Sequence, residues 1–126
     1  MKTVLFVCSH NSIRSPMAQA IYNQYAKKSQ AISAGIEPAG SIKATVTGTL
    51  MRHGVSSQGL RVRRLNQELL ASADKVVFLT RHHDGFSPPG ALEWDVDIPE
   101  TADGYDKLFS LLKKKVLELV REVDGA

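Results

Sequence analysis

The run Val4-Leu5-Phe6-Val7 is apolar at every position, and Ser15-Pro16 shortly afterwards opens a helical pattern. A short continuous run of β-branched and aromatic side chains predicts a strand buried on both faces, as in a parallel sheet. Ser is a favoured helix N-cap and Pro a favoured first helical residue, so the pair predicts a helix start. Met17, Ile21 and Tyr25 follow at four-residue spacing, an apolar stripe reaching about Lys28 with Tyr25 in the core. The segment Cys8-Ser9-His10-Asn11-Ser12-Ile13-Arg14-Ser15 therefore joins the carboxyl end of a buried strand to a helix amino end.

The remaining pattern repeats this unit. Ala31–Gly35 reads as a second strand stopped by Gly, and Ile42, Val46, Leu50 and Met51 predict a helix from about Ser41, closed by Gly54. An Arg-rich polar connection runs from Val55 to Asn66. A short helix is expected over Glu68–Ala71, a third buried strand over Asp74–Leu79, a loop over Asp84–Gly90 and a weak fourth strand over Ala91–Trp94. From about Asp103, Leu108, Phe109, Leu112, Val116, Leu119 and Val120 recur at helical spacing. Alternating strands and helices predict an α/β fold with helices on both faces of the sheet. Its 126 residues, without repeats or linkers, make one domain, 1–126, large enough to bury a core unaided.

Composition narrows the function. A net charge of +3 implies no nucleic-acid partner, and the clusters Arg61/Arg63/Arg64 and Lys113–Lys115 read as solvated faces. One cysteine excludes an internal disulfide and a Cys-based zinc site. His10, His53, His82 and His83 lack ligand spacing, so neither metal nor other cofactor is expected. Val4–Val7 is too short for a signal peptide, and no stretch suits a membrane span. A free thiol without an export signal points to the cytoplasm.

The Cys8–Ser15 loop carries the chemistry. A tetrahedral anion needs several converging donors, which successive backbone N–H groups and a helix N-terminus supply. Arg14 adds a planar fork matched to two anion oxygens. Ser9, His10, Asn11, Ser12, Ile13 and Ser15 complete the expected phosphate-binding loop. The same positive field favours the thiolate of Cys8, a nucleophile able to attack phosphorus and form a cysteinyl-phosphate. Ser15 is placed to donate to that thiolate or to cap the helix, and Asn11 to hold the loop's shape. The Cys–Arg spacing alone says little in a chain with seven arginines. The preceding strand, the central Asn and the Ser-Pro start make the joint pattern specific.

A departing alkoxide or amine needs a proton. Asp95 and Asp97, in Trp94-Asp95-Val96-Asp97-Ile98-Pro99, follow the fourth strand and so share the crevice edge with Cys8. Asp97 is taken as the general acid, with Asp95 as the alternative. Trp94 and Phe86 are read as core, His82 and His83 as exposed, and Tyr105 as a mouth or surface residue. His10 reads as a half-exposed spacer.

On these residues the chain resembles the low-molecular-weight protein tyrosine phosphatase superfamily, which includes thiol-dependent arsenate reductases. Val4–Cys8, Asn11, Arg14–Ala18, Ser33-Ala34-Gly35 and Ala73-Asp74 carry the resemblance across nearly the whole chain. It implies a three-layer αβα sandwich around a four-stranded parallel sheet of order 2-1-3-4, a cysteinyl-phosphate intermediate and no metal. It also implies a general acid from an Asp-Pro pair, whereas here Ile98 separates Asp97 from Pro99. The tyrosines that flank the acid in the family, and the aromatic after Ser-Ala-Gly, are absent. Three substrates follow from the resemblance. Phosphotyrosine on protein is the family default. Phosphoarginine is suggested by Ser12 and by the run Ala73–His83, and arsenate by Cys8-x-His10-Asn11 and Ser33–Gly40. An arsenate reductase would need an external thiol, because no second cysteine exists; phosphatase is the leading expectation. A non-catalytic phosphate-binding regulatory module stands third. The expected partners are a phosphorylated protein or a small phosphate or arsenate oxyanion, and a monomer is compatible with the sequence.

Overall fold

The computed structural model describes residues 1–81, 85, 86 and 88–125. His82 and His83, and part of the expected 84–90 loop, lie outside the described residues. The elements are β1 (Lys2–Cys8), α1 (Arg14–Tyr25), β2 (Ser29–Gly35), α2 (Ala44–Arg52), α3 (Gln67–Ser72), β3 (Lys75–Phe78), β4 (Leu92–Glu93) and α4 (Ala102–Asp124). The four strands form one parallel sheet in the order β2-β1-β3-β4. β1 is central, and its alternating side chains serve two cores. Val4, Phe6 and Cys8 pack with α1, α2 and α4, while Leu5 and Val7 pack with Leu65, Leu70 and Phe78 on the α3 face. The result is the expected three-layer α/β fold. No helix among the described residues is long and apolar enough to cross a membrane.

Several local expectations are corrected. α1 begins at Arg14 with Ile13 at its N-cap and no side-chain cap, so Ser15 sits inside the first turn. Pro16 is still tolerated there, because N–H groups of a first turn lack intrahelical partners. The helix ends at Tyr25, three residues short of expectation, where Ala26 turns extended. It is also not a one-sided stripe: Arg14 through Tyr22 are all buried, because the sheet, α2 and α4 surround it. Tyr25, expected in the core, is 37% exposed, with Lys113 Nζ 5.5 Å from its ring. Tyr105, expected at the mouth or surface, is buried in the α4 core face. Trp94 and Phe86 are only partly buried. α2 starts at Ala44 rather than Ser41, and β4 is two residues long.

Two polar clips tie the ends of the sequence to the sheet. Asp74 accepts the Thr3 N–H at 2.8 Å and returns its own N–H to the Thr3 carbonyl at 2.8 Å. At the far end of α4, Asp124 accepts the Lys27 N–H at 2.8 Å and the Ser29 hydroxyl, which also bonds the Tyr22 phenol at 2.7 Å. The Lys27 N–H and then the Ser29 hydroxyl hold the Asp124 carboxyl below the usual carboxylate range. Burial is the main reason the Tyr22 phenol is pushed above its ordinary value.

Candidate active site

The sheet order reverses between β1 and β3: from β1 the chain moves outward to β2, then returns across the sheet to β3. In open parallel sheets such a switch leaves a crevice at the carboxyl strand ends. Cys8 ends β1 there, with Leu79 and Thr80 just beyond β3, and a cleft of about 630 Å3 opens at this edge, lined on the side of the Cys8 loop by Ser9 and Arg14. Ser9, Arg14, Thr80, Trp94, Asp95 and Asp97 are among its lining residues.

The loop after Cys8 is held from outside by its carbonyls. Those of Cys8, Ser9, His10 and Ser12 accept N–H bonds from Ile36, Glu37, Ala39 and Lys43 at 3.2, 2.8, 2.9 and 3.1 Å. In a trans peptide the next residue's N–H points opposite to the carbonyl. The N–H groups of Ser9, His10, Asn11 and Ile13 are therefore turned to the loop's inner side. None of them donates to a protein acceptor among the described residues. A concave row of free N–H groups next to a helix N-terminus is an anion cradle. Asn11 makes the curl, with a φ of 53°, a left-handed conformation that Asn tolerates better than most residues. The wrapping segment approaches so closely that a Cβ on Gly35 would lie 2.9 Å from Asn11 and His10 backbone atoms.

Inside the loop the Cys8, Asn11 and Ser15 side chains are paired. Asn11, Ser12, Arg14 and Ser15 are buried, and Cys8 is 2% exposed. Cys8 Sγ lies 2.9 Å from Ser15 Oγ, and Ser15 Oγ accepts a 2.8 Å bond from Asn11 Nδ2. Accepting from Asn11 leaves the Ser15 hydrogen free to point at sulfur, where a hydroxyl donor stabilises a thiolate. Ser15 does not cap the helix; its hydroxyl lies against the Cys8 sulfur instead. Asn11 Nδ2 also donates to Ser33 Oγ at 2.9 Å, and Asn11 Oδ1 accepts the Arg63 N–H at 2.9 Å. Ser33, Gln19 and Arg63 were not picked out as network members from the sequence. Gln19, a polar residue between Ala18 and Ala20 on a buried helix, was the available signal.

Arg14 sits in the first turn of α1 and reaches across the crevice. Its Nη1 donates to the Leu79 carbonyl at 2.6 Å and the Val96 carbonyl at 3.2 Å. Those bonds fix the guanidinium plane from the β3 and β4 sides while the residue still lines the cleft. Ser9 Oγ bonds Thr80 Oγ1 at 3.2 Å across the same gap. Exposed His10 turns its ring outward onto the Glu37 carbonyl at 2.8 Å; since a carbonyl only accepts, Nδ1 carries the proton. Ile13 packs against the core. Asp95 and Asp97 both line the cleft and both are exposed. Asp95 is paired with Arg81, and that hydrogen bond is the main reason the Arg81 guanidinium is held above its ordinary pKa. Asp97 makes no ion pair among the described residues.

The comparisons with known proteins agree with this architecture. The family model for low molecular weight phosphotyrosine protein phosphatase matches residues 3–90. A probable low molecular weight protein-tyrosine-phosphatase EpsP of Ralstonia nicotianae is 33% identical over 81 residues, covering 63% of this chain and 56% of that protein. An arsenate reductase of Halalkalibacterium halodurans is 32% identical over 112 residues, covering 84% and 80%. A protein-arginine-phosphatase of Bacillus subtilis is 31% identical over 87 residues, covering 64% and 57%. The chain thus spans little more than half the length of the two phosphatases. The solved low molecular weight protein tyrosine phosphatase of T. tengcongensis superposes with a TM-score of 0.87 at 25% identity, covering 97% of this chain and 99% of that one. With the family model spanning both the Cys8 loop and the β3 side of the crevice, the chain belongs to the low molecular weight phosphotyrosine protein phosphatase family.

Proposed function

We propose that the protein is a cysteine-dependent phosphatase of the phosphotyrosine type, working without a cofactor, with Cys8, Arg14 and Asp97 as its catalytic residues. The observation that carries the reading is the Cys8 loop itself. Its Ser9, His10, Asn11 and Ile13 N–H groups meet no protein acceptor among the described residues, and Ser15 Oγ lies 2.9 Å from the only sulfur nucleophile in the chain. In the first step the Cys8 thiolate attacks phosphorus, the S–P bond forms and the ester P–O bond breaks. Asp97 gives its proton to the leaving oxygen. In the second step water attacks phosphorus, Asp97 takes a water proton, and the S–P bond breaks to release phosphate and restore the thiolate. Arg14 and the N–H groups from Ser9 to Ile13 hold the equatorial oxygens, where charge is greatest in the transition state. Asp97 is preferred to Asp95 because Arg81 already engages the Asp95 side chain in an ion pair, whereas Asp97 makes none among the described residues. The function suits a reducing compartment, the cytoplasm, where the single thiol stays free.

A second reading, arsenate reduction, draws on the Halalkalibacterium relative, which matches most of both chains. Cys8 would form an arsenic–sulfur adduct, and an external thiol would attack its sulfur. Arsenite would leave carrying two electrons, with a mixed disulfide on Cys8. A second external thiol would then be required, because Cys8 is the only cysteine. One turnover panel decides: an aryl phosphate, a phosphotyrosine peptide, a phosphoarginine peptide, and arsenate with external thiols. Hydrolysis of the aryl and phosphotyrosine substrates is expected. Thiol-dependent arsenate reduction without phosphatase activity rejects the leading reading, as does tight phosphate binding without turnover of any substrate.

A further inference from the structure

The hydrogen-bond network that ends on Cys8 has a second branch with a defined direction. The Arg63 N–H can only donate, so it identifies the Asn11 atom it meets as the carboxamide oxygen. The Asn11 nitrogen must then send its two hydrogens to Ser15 Oγ and Ser33 Oγ, at 2.8 and 2.9 Å. Having accepted, the Ser33 hydroxyl needs an acceptor for its own hydrogen, and meets Gln19 Oε1 at 2.6 Å. Ser33 and Asn11 are 0% exposed, so bulk water does not reach the inner part of this branch, and Gln19, 7% exposed, is its outer end. Gln19 also lines a separate cleft of about 210 Å3 with Asn23, Gln24, Ser56 and Gln58. Its carboxamide therefore spans from that cleft to the interior.

We propose that Gln19 is a positioning residue for Cys8, the terminal acceptor that holds Ser33 and Asn11 in the one donor order that aims the Ser15 hydrogen at sulfur. Without a Gln19 acceptor, the Ser33 hydrogen turns back on Asn11 Nδ2, donor against donor. The carboxamide is displaced, and Ser15 loses the bond that orients it. Gln19 itself touches neither sulfur nor anion. The inference rests on the thiolate chemistry proposed above, but it is read on the sulfur rather than through turnover.

The test uses the whole chain, in which one cysteine makes alkylation a single-site measurement. Iodoacetamide inactivation is followed against pH in wild type, Gln19→Met and Ser33→Ala, with thermal unfolding as a check on folding. Gln19→Met keeps the length and removes the acceptor. Its alkylation midpoint is expected to rise, cutting the thiolate fraction below that midpoint about three- to tenfold, the size of one ordinary hydrogen bond. A Gln19→Met/Ser33→Ala double variant measured alongside them is expected to shift no further than Ser33→Ala alone, since both act through one link, and additive shifts overturn the proposal. A folded Gln19→Met with the wild-type midpoint overturns the proposal. If Gln19→Met does not fold, an unmoved midpoint in Ser33→Ala overturns it instead. The turnover panel is separate, so rejection of the phosphatase reading leaves this measurement intact.

Discussion

The two walls of the cleft are built differently. On the β1–α1 side, Cys8, Asn11, Arg14 and Ser15 are buried, and their polar atoms meet named partners in a network anchored to β2 and the 61–66 segment. On the β4 side, Asp95, Asp97, Ile98 and Glu100 line the cleft after a two-residue strand, and Asp95, Asp97 and Ile98 are exposed. The first wall is preorganised, with its polar groups held before any ligand arrives, as the proposed anion-holding role requires. The second can change residue by residue without disturbing the core, as surface loops do.

Predictions follow from pressing on each wall. The largest effect is expected at the buried wall: Cys8→Ser should lower aryl-phosphate turnover by about 10^4-fold or more while phosphate binding survives. Calorimetry with phosphate and a steady-state assay check both halves, and residual turnover near wild type breaks the nucleophile assignment. At the open wall, Asp97→Asn should slow poor leaving groups about 100-fold and good ones far less. Asp95→Asn should change both less than threefold. If only Asp95→Asn is slow, the acid is Asp95 and the comparison survives with its residue exchanged.

A smaller effect, on stability, probes how tightly the buried wall is wrapped. Gly35→Ala adds a methyl 2.9 Å from Asn11 and His10 backbone atoms and should cost about 1–3 kcal/mol, read by chemical denaturation. A neutral result would mean that the 35–43 segment does not clamp the loop. The smallest effect belongs to the half-buried Asp124 clip. Its folded carboxyl sits below the usual carboxylate range, so its contribution is fully present above the unfolded value and is lost as pH falls through the folded one. Asp124→Asn should therefore lower Tm near neutral pH, with the difference from wild type disappearing in acid. A pH-independent difference would assign the effect to packing of α4.

Much of the fold was legible in the chain. β1 and β3 are short runs without polar interruption, and α4 buries the heptad-like set from Leu108 to Val120 that its spacing announced. Element ends were less legible. α1 begins two residues early and stops at Tyr25 because tertiary contacts, rather than cap propensity, decide where it stays helical. Tyr25 and Tyr105 exchanged environments for a related reason: periodicity names a stripe, but which end of it is covered depends on where α4 crosses α1.

The site divides in the same way. Local order places Cys8 at a strand end, Arg14 six residues on and a helix immediately after, since strand, turn and helix are short-range physics written in adjacent residues. Only tertiary structure could bring Ser33, Gln19 and the Arg63 N–H to Asn11, or the Leu79 and Val96 carbonyls to Arg14. Those partners lie far apart in the chain and meet through strand pairing, and a hydrogen bond's direction depends on every neighbour it has. The place of the Cys8 loop, between a strand end and a helix start, was thus determined by its own sequence. The aim of the Ser15 hydrogen and the plane of the Arg14 guanidinium were decided by the fold, because both are held by atoms from other elements.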